Sequence, residues 1–99
     1  MSSINAKITE AIQKNTVMMF AKSTCPYCQK AKEALRANHI EFAYWDLDTL
    51  DDGIEIQDEL AKMNGQRTVP NIYVKGQHIG GCDDLIAALK SGKVQQLLV

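Results

Sequence analysis

Apolar residues along the chain follow two spacings, one typical of amphipathic helices and one typical of short strands. Near the start, Ile4, Ile8, Ala11 and Ile12 recur at intervals that predict a helix, which Ser2 or Ser3 can cap. Helical spacing returns three times, and a last apolar group predicts one or two final helical turns. The apolar positions that define these later helices are Ala31, Ala34 and Leu35; Ile56, Leu60 and Met63; Leu85, Ile86, Ala88 and Leu89; and Val94, Leu97 and Leu98.

Four β-prone runs separate these helices. Residues 17–20 are continuously apolar, which is typical of a strand covered on both faces, and residues 42–47 predict a second strand. Because a helix connects these two runs, we expect them to pair in parallel. Residues 71–74 and 77–80 flank Lys75 and Gly76, which predicts an antiparallel hairpin. Together, the predicted helices and strands indicate an α/β fold with a mixed four-stranded sheet and helices on both faces.

Turn-forming and capping residues mark the expected helix ends. Pro26 suits the first turn of the second helix, because a helix leaves that amide position without a partner. We expect the third helix to end near Asn64 and Gly65, and the fourth to be capped by Asp83 or Asp84 and to stop at Ser91 and Gly92.

Composition and charge narrow the function. A chain of 99 residues with 45% hydrophobic residues suits one domain spanning residues 1–99. A formal net charge of −1 provides no cationic field for a nucleic acid. No run approaches the roughly 18 apolar residues of a membrane span, and the first sixteen residues lack the apolar centre of a secretory signal. We therefore expect a protein of a reducing compartment, the cytoplasm.

The chemistry centres on a close pair of cysteines. Three cysteines are an odd number, which disfavours a framework of paired disulfides and points to Cys25 and Cys28. Cys25 precedes the predicted second helix, where the helix dipole, the first amides and nearby Lys22 favour the thiolate, the reactive form of a thiol. Cys28 follows one helical turn later on the same face, so it can act as the resolving thiol.

Other interpretations of the cysteines and histidines remain open at this stage. The pair can be half of a zinc site, although only Cys82 and His78 remain as further ligands. The pair can also be buried and inert, although a proline at a helix start is an unusual core element. We expect Cys82 to be packed or to act through its backbone, with a regulatory disulfide as the alternative. His39 and His78 are expected to be structural.

Three motifs in order carry a family resemblance. Cys25-Pro26-Tyr27-Cys28 follows a strand, Thr68-Val69-Pro70 precedes another, and Gly80-Gly81-Cys82-Asp83-Asp84 follows the hairpin. With these motifs the whole chain resembles a dithiol glutaredoxin of the thioredoxin superfamily. Thioredoxins normally carry Trp-Cys-Gly-Pro-Cys, whereas this chain differs in the residue before the first cysteine and in the intervening pair. The resemblance implies that glutathione, rather than a reductase, is the reductant.

The resemblance also implies where glutathione binds. Lys22, Gln57 and Arg67 would surround the glycyl carboxylate, and Tyr27 would line the same groove. Taken without the family motifs, the two cations can equally be solvated surface residues.

At the other end of the ligand, Val69 would pair through its backbone and Pro70 would be a cis proline. The amides of Cys82 and Asp83 would take the γ-glutamyl carboxylate, and the side chain of Asp83 or Asp84 would take the ammonium. The two aspartates can instead be helix caps only. The full predicted glutathione site is Lys22, Tyr27, Gln57, Arg67, Thr68, Val69, Pro70, Gly81, Cys82, Asp83 and Asp84.

The resemblance therefore predicts a thioredoxin-like α/β domain that catalyses glutathione-dependent thiol–disulfide exchange, with Cys25 attacking and Cys28 resolving. Its partners would be glutathione and glutathionylated or disulfide-bonded proteins, it would be a monomer, and no metal is expected. Three alternatives stay open. Some glutaredoxins carry a [2Fe–2S] cluster between two subunits, although Pro26 is similar to members that do not. The others are a thioredoxin-like protein served by a reductase and a catalytically silent interaction module.

Overall fold

A computed structural model describes residues 3–99 of the chain, so Ser2 as a cap lies outside the described residues. Ser3 is the first described residue of α1. The elements in chain order are α1 (Ser3–Lys14), β1 (Val17–Ala21), α2 (Pro26–Ala37), β2 (Ala43–Asp46), a 3₁₀ turn (Leu47–Thr49), α3 (Gly53–Asn64), β3 (Asn71–Val74), β4 (Gln77–Gly80), α4 (Cys82–Lys90) and α5 (Lys93–Leu97).

The four strands form one mixed sheet in the order β2-β1-β3-β4. β1 pairs in parallel with β2 and antiparallel with β3, while β3 and β4 form an antiparallel hairpin that turns at Lys75 and Gly76. All five residues of β1 are buried, as expected of a strand that has partners on both sides and helices on both faces. The predicted sheet and pairings are confirmed.

Helices cover both faces of the sheet because successive strand residues point to opposite sides. Met18 and Phe20 of β1 face α1 and α3, and the Phe20 ring meets Trp45 and Tyr73 edge-on. Met19, the residue between them, faces the core beneath α2, α4 and α5. The active cysteines belong to this second side, since Cys28 is a member of the α2–α4 core.

The second strand is shorter than the sequence pattern predicts. Its first partner pair is Met18 with Ala43 and its last is Ala21 with Asp46, where β1 itself ends. Phe42 therefore precedes the strand, and Leu47 begins the 3₁₀ turn with its side chain buried. The prediction was wrong at both ends because apolar character continues beyond the residues that have a pairing partner.

Most predicted helix ends are confirmed. α3 ends at Asn64, and Gly65 follows in the left-handed region with φ 79°, which favours glycine. α4 ends at Lys90 with Ser91 as its C-cap. Met63, predicted on the apolar side of α3, is instead 37% exposed. Within residues 3–99, no helix has the length and apolar character needed to cross a bilayer.

Candidate active site

Cys25 occupies the N-cap position of α2, directly after the polar loop that leaves β1. Its backbone is extended, Pro26 follows as the first helical residue, and the Cys28 amide donates a hydrogen bond to Cys25 Sγ at 3.1 Å. A side-chain acceptor at an N-cap satisfies an amide that the helix leaves free, a role that oxygen usually plays. Here the acceptor is sulfur, so the helix start directs an N–H dipole at the half-buried Cys25 thiol.

A second loop lies against the same sulfur. The Cys25 thiol donates to the Val69 carbonyl oxygen at 3.9 Å, and the Val69–Pro70 peptide bond is cis. The cis proline that the resemblance implied is confirmed. The backbone before β3 therefore forms one wall of the site beside the Cys25 sulfur.

Cys28 is in a very different environment from Cys25. Its side chain is fully buried. Burial raises the pKa of the Cys28 thiol to about 12, and the hydrogen bond with Cys25 adds to the effect. At neutral pH Cys28 is therefore a protonated, shielded thiol, whereas the half-buried Cys25 is reachable from solvent.

The loop that leads to Cys25 is anchored by Asp48, in the 3₁₀ turn after β2. The Asp48 carboxylate accepts hydrogen bonds from the Ser23 amide at 2.8 Å and from the Ser23 hydroxyl. These hydrogen bonds hold the pKa of Asp48 below its usual range, and the Lys22 charge adds to the effect. The sequence did not reveal this contact because 25 residues separate its two partners.

A cleft of about 230 Å³ beside the cysteines gathers most of the predicted glutathione residues. Larger depressions of about 570, 420 and 250 Å³ elsewhere on the described surface contain no predicted site residue. Eight of the eleven predicted residues line the small cleft, namely Tyr27, Thr68, Val69, Pro70, Gly81, Cys82, Asp83 and Asp84.

The three predicted carboxylate-binding residues are placed differently. Lys22 and Gln57 line a separate cavity of about 290 Å³ together with Asp48. The Gln57 side chain donates to the Arg67 carbonyl oxygen at 2.7 Å, which ties α3 to the loop before β3. The Arg67 guanidinium forms an ion pair with Asp58 and is largely exposed.

The start of α4 differs from the predicted cap. The N-cap is Gly81, and Asp84 lies in the first turn with its carboxylate accepting the Gly81 amide at 3.1 Å. Gly80 has φ 124°, and a Cβ at that position would come within 2.3 Å of the Asp84 carboxylate, so this close approach requires glycine. Asp83 and Asp84 are therefore first-turn residues rather than N-caps, because the helix begins one residue earlier, at Cys82.

The remaining cysteine and the histidines have structural surroundings. Cys82 is 5% exposed, and burial raises the pKa of its thiol, which confirms a packed cysteine. His78 contacts Gln66 Oε1 at 3.1 Å and the Tyr73 ring, and burial lowers the pKa of its imidazole. Across residues 3–99, no three or more His, Cys, Asp and Glu side chains are grouped to hold a metal ion.

The sequence pattern did not identify two charged residues near the cysteines, Lys32 and Asp46. Lys32 of α2 is 4% exposed, and its ammonium lies 3.7 Å from Asp46 Oδ1 at the end of β2. A signal was available, because Lys32 lies four residues after Cys28 and three before Leu35 and so shares their buried face. Residue type gave the opposite indication, because lysine is rarely buried.

A Cys-x-x-Cys pair at a helix start, joined to a mixed sheet and faced by a cis proline, defines a thiol–disulfide oxidoreductase of thioredoxin-like fold. Residues 17–79 match the sequence model of the glutaredoxin family. The chain belongs to this family, whose members are glutathione-dependent oxidoreductases.

Relatives and solved structures agree with this assignment. Glutaredoxin-1 from Rhizophagus irregularis is 48% identical over 98 residues, which cover 99% of this chain and 97% of the relative. A crystal structure of wheat glutaredoxin superposes with a TM-score of 0.92 at 46% identity, covering 97% of this chain and 91% of the other. A buckwheat glutaredoxin–glutathione complex superposes with a TM-score of 0.93 at 34% identity, covering 96% and 86%.

Proposed function

We propose that this glutaredoxin uses Cys25 as its nucleophile and Cys28 as its resolving thiol. The observation that carries the proposal is the contrast between the two sulfurs. Cys25 is accessible and accepts the Cys28 amide at 3.1 Å, while Cys28 is fully buried with its thiol pKa raised. A nucleophilic cysteine needs access and support for negative charge, and only Cys25 has both.

With a protein–glutathione mixed disulfide, one cysteine suffices. The Cys25 thiolate attacks the glutathionyl sulfur, the protein leaves as a thiolate that takes a proton from water, and glutathione remains bound to Cys25. A second glutathione thiolate then attacks that glutathionyl sulfur, which releases glutathione disulfide and restores Cys25. The amide dipole that supports the Cys25 thiolate also makes Cys25 a good leaving group in this second step.

With a protein disulfide, both cysteines take part. Cys25 attacks one sulfur and forms a mixed disulfide with the protein. Cys28 then loses its proton to solvent and attacks Cys25 Sγ, which releases the second protein thiol and leaves a Cys25–Cys28 disulfide. Two glutathiones reduce that disulfide. The position of Cys28 one helical turn after Cys25 supports this step.

Glutathione is proposed to bind along the small cleft with its thiol end at Cys25. Val69 would offer its backbone to the cysteinyl portion, as the contact between its carbonyl and Cys25 suggests. The first amides of α4 lack intrahelical partners and would receive the γ-glutamyl carboxylate. Because Asp84 already accepts the Gly81 amide, we assign the ammonium to Asp83. The glycyl carboxylate would approach Lys22 and Gln57. The glutathione complex of the buckwheat relative supports glutathione as the ligand.

The test compares Cys28→Ser with Cys25→Ser in two assays. Cys28→Ser should keep glutathione-coupled reduction of a small mixed disulfide and lose most reduction of a protein disulfide. Cys25→Ser should lose both activities, and Cys82→Ser serves as the control that keeps both. Equal loss of both activities in Cys28→Ser would contradict this division of roles.

The proposal also covers the client proteins, the oligomeric state and the cellular location. The clients would be glutathionylated and disulfide-bonded proteins, which the Cys25 reaction requires. We propose that the protein acts as a monomer in the cytoplasm. Size-exclusion chromatography of the reduced protein, before and after anaerobic incubation with iron, sulfide and glutathione, tests the monomeric state. A coloured dimer would support the cluster-carrier alternative.

A further inference from the structure

An ion pair between a buried lysine and a partly buried aspartate lies beneath α2, next to the resolving cysteine. Lys32 is almost inaccessible to solvent, and its ammonium lies 3.7 Å from Asp46 Oδ1 and 3.7 Å from the centre of the Tyr44 ring. Asp46 Oδ1 is itself buried and has no hydrogen-bond partner among residues 3–99. Burying an ammonium and a carboxylate is costly, and such pairs are often no more stabilising than apolar residues of the same size. The presence of this ion pair therefore indicates a role other than stabilising the fold.

The position of Lys32 relative to Cys28 suggests that role. The two residues are four apart on α2, both are buried, and such neighbours lie roughly 5–6 Å apart at their Cβ atoms. A positive charge close to a sulfur in a poorly solvated interior favours a thiolate far more than it would in water. The field of Lys32 acts to lower the pKa of Cys28, in opposition to burial.

We infer that Lys32 is a positioning residue for the second half of the reaction: its buried ammonium supports the Cys28 thiolate that resolves the mixed disulfide on Cys25, and Asp46 limits that support. The inference rests on the proposed function. The gap of 3.7 Å exceeds a normal hydrogen bond, so the lysine charge is only partly neutralised by its partner.

Other described groups also bear on the Cys28 charge, and the backbone of Lys22 lowers the pKa of Cys28 through a hydrogen bond, an effect larger than that of the Lys32 charge. Cys25, from the loop before α2, opposes a Cys28 thiolate through its hydrogen bond and its own charge. That opposition falls once Cys25 is held in a mixed disulfide, because its sulfur then carries no charge. From α4, Cys82 packs in the same core. Lys32 is thus the nearby cation at the moment when Cys28 must ionise.

The step is best isolated with glutathione disulfide as the oxidant. The Cys25 thiolate attacks one sulfur, breaks the glutathione disulfide bond and releases one glutathione thiolate, which takes a proton from water. Cys28 then gives its proton to solvent and attacks Cys25 Sγ, forming the Cys25–Cys28 bond and releasing the second glutathione. The enzyme loses two electrons and glutathione disulfide gains them.

Rapid mixing, acid quench and intact-mass measurement follow both halves in one experiment. The glutathione adduct on Cys25 forms in the first step and decays in the second, and Cys28→Ser supplies the adduct that cannot decay. Lys32→Met should leave formation unchanged and slow decay at pH 7. A tenfold smaller thiolate fraction is partly offset by the greater nucleophilicity of a more basic thiolate, so the net slowing is roughly threefold.

The opposite substitution separates this role from a structural one. Asp46→Asn removes the anion that restrains Lys32, so decay should become faster than in the parent enzyme. Lys30→Met removes an exposed cation from the same helix and should change neither step. Unchanged adduct formation in each variant shows that the fold and Cys25 are intact.

Three results would overturn the inference. If Lys32→Met and Asp46→Asn both slow decay, the pair acts by packing alone. If decay is the same in Lys32→Met and the parent, the lysine gives Cys28 no support. If Cys28→Ser, in which the adduct cannot decay, forms no adduct at all, the proposed function itself fails, and this inference with it.

Discussion

At the scale of single residues, the site depends on small differences between neighbours of the same type. Cys25 and Cys28 are three positions apart, yet one is a helix cap and the other a core residue. Asp83 and Asp84 are adjacent and both line the cleft, yet only the Asp84 side chain accepts the Gly81 amide. In the two cysteines and in the two aspartates alike, the position at the helix start, rather than the residue type, determines the role of each residue.

The two aspartates provide a matched pair of variants. Asp83→Ala should raise the KM for glutathione severalfold, because the ligand ammonium loses its carboxylate partner, and should leave the melting temperature unchanged. Asp84→Ala should lower the free energy of unfolding by about 1 kcal/mol, because the Gly81 amide loses its hydrogen bond to the Asp84 carboxylate. Steady-state kinetics and urea denaturation check the two outcomes. If only Asp84→Ala raised the KM, the ammonium assignment to Asp83 would be wrong.

Sequence patterns predicted residue identities in the site better than their contacts. The Cys-x-x-Cys spacing and the family motifs located the cysteines, the cis proline and the cleft residues. They did not reveal that Gly81 caps α4 or that Asp48 holds Ser23, because each depends on where a loop folds back. Lys32 was missed for another reason: lysine is rarely buried, and only its spacing from Cys28 indicated otherwise.

At the scale of elements, the loop between β1 and α2 sets the position of Cys25. β1 ends at Ala21 and α2 begins at Pro26, so a short segment must deliver the sulfur to the cleft. The Asp48 carboxylate holds this segment through two hydrogen bonds from Ser23.

Local sequence patterns predicted the hairpin and the end of α3, because turn residues signal them directly. The ends of β2 were not predicted, because they depend on the length of β1.

Releasing the loop should affect catalysis more than stability. Asp48→Ala should lower kcat/KM for a small mixed disulfide severalfold, because Cys25 would be held less firmly. Asp51→Ala removes an exposed carboxylate from the same cavity and serves as the control. Amide hydrogen exchange at Ser23 and Thr24 should rise in Asp48→Ala alone. Equal kinetics in the two variants would show that Asp48 does not position the loop.

The same contact predicts a pH dependence with a definite sign. The pKa of Asp48 is lowered in the folded protein by its hydrogen bonds to Ser23. Its stabilising effect is therefore fully present above the usual carboxyl pKa and is lost as pH falls through the lowered folded value. Between roughly pH 4 and pH 2, stability should fall less steeply in Asp48→Ala than in the parent protein, as measured by urea denaturation. Identical slopes would remove Asp48 from the acid response.

At the scale of the whole molecule, one sheet separates a supporting core from the core that carries the cysteines. The α1–α3 side holds Phe20 between Trp45 and Tyr73, and the α2–α4 side holds Cys28 and Cys82. β1 contributes alternate residues to both sides, so the strand that leads to Cys25 is fixed from above and below. The continuous apolar run of residues 17–20 predicted that both faces of this strand are covered, but the sequence alone did not show which helix lies on which face.

Weakening the supporting core should reduce stability throughout the molecule. Phe20 is fully buried, so Phe20→Ala should lower the free energy of unfolding by about 3–5 kcal/mol, the usual range for a buried phenylalanine. Ile54→Ala, at a side chain that is 71% exposed, should change it little. Urea denaturation measures both. A loss below about 1 kcal/mol in Phe20→Ala would contradict the packing described for the α1–α3 side.

The whole reaction depends on one accessible sulfur at the helix start and a second sulfur that is buried in the core. Timed alkylation of the reduced protein with iodoacetamide at pH 7, followed by peptide mass spectrometry, tests it most directly. Cys25 should be modified first, with Cys28 and Cys82 protected until much later or until pH is strongly raised. Modification of Cys28 before Cys25, or of both at equal rates, would contradict it.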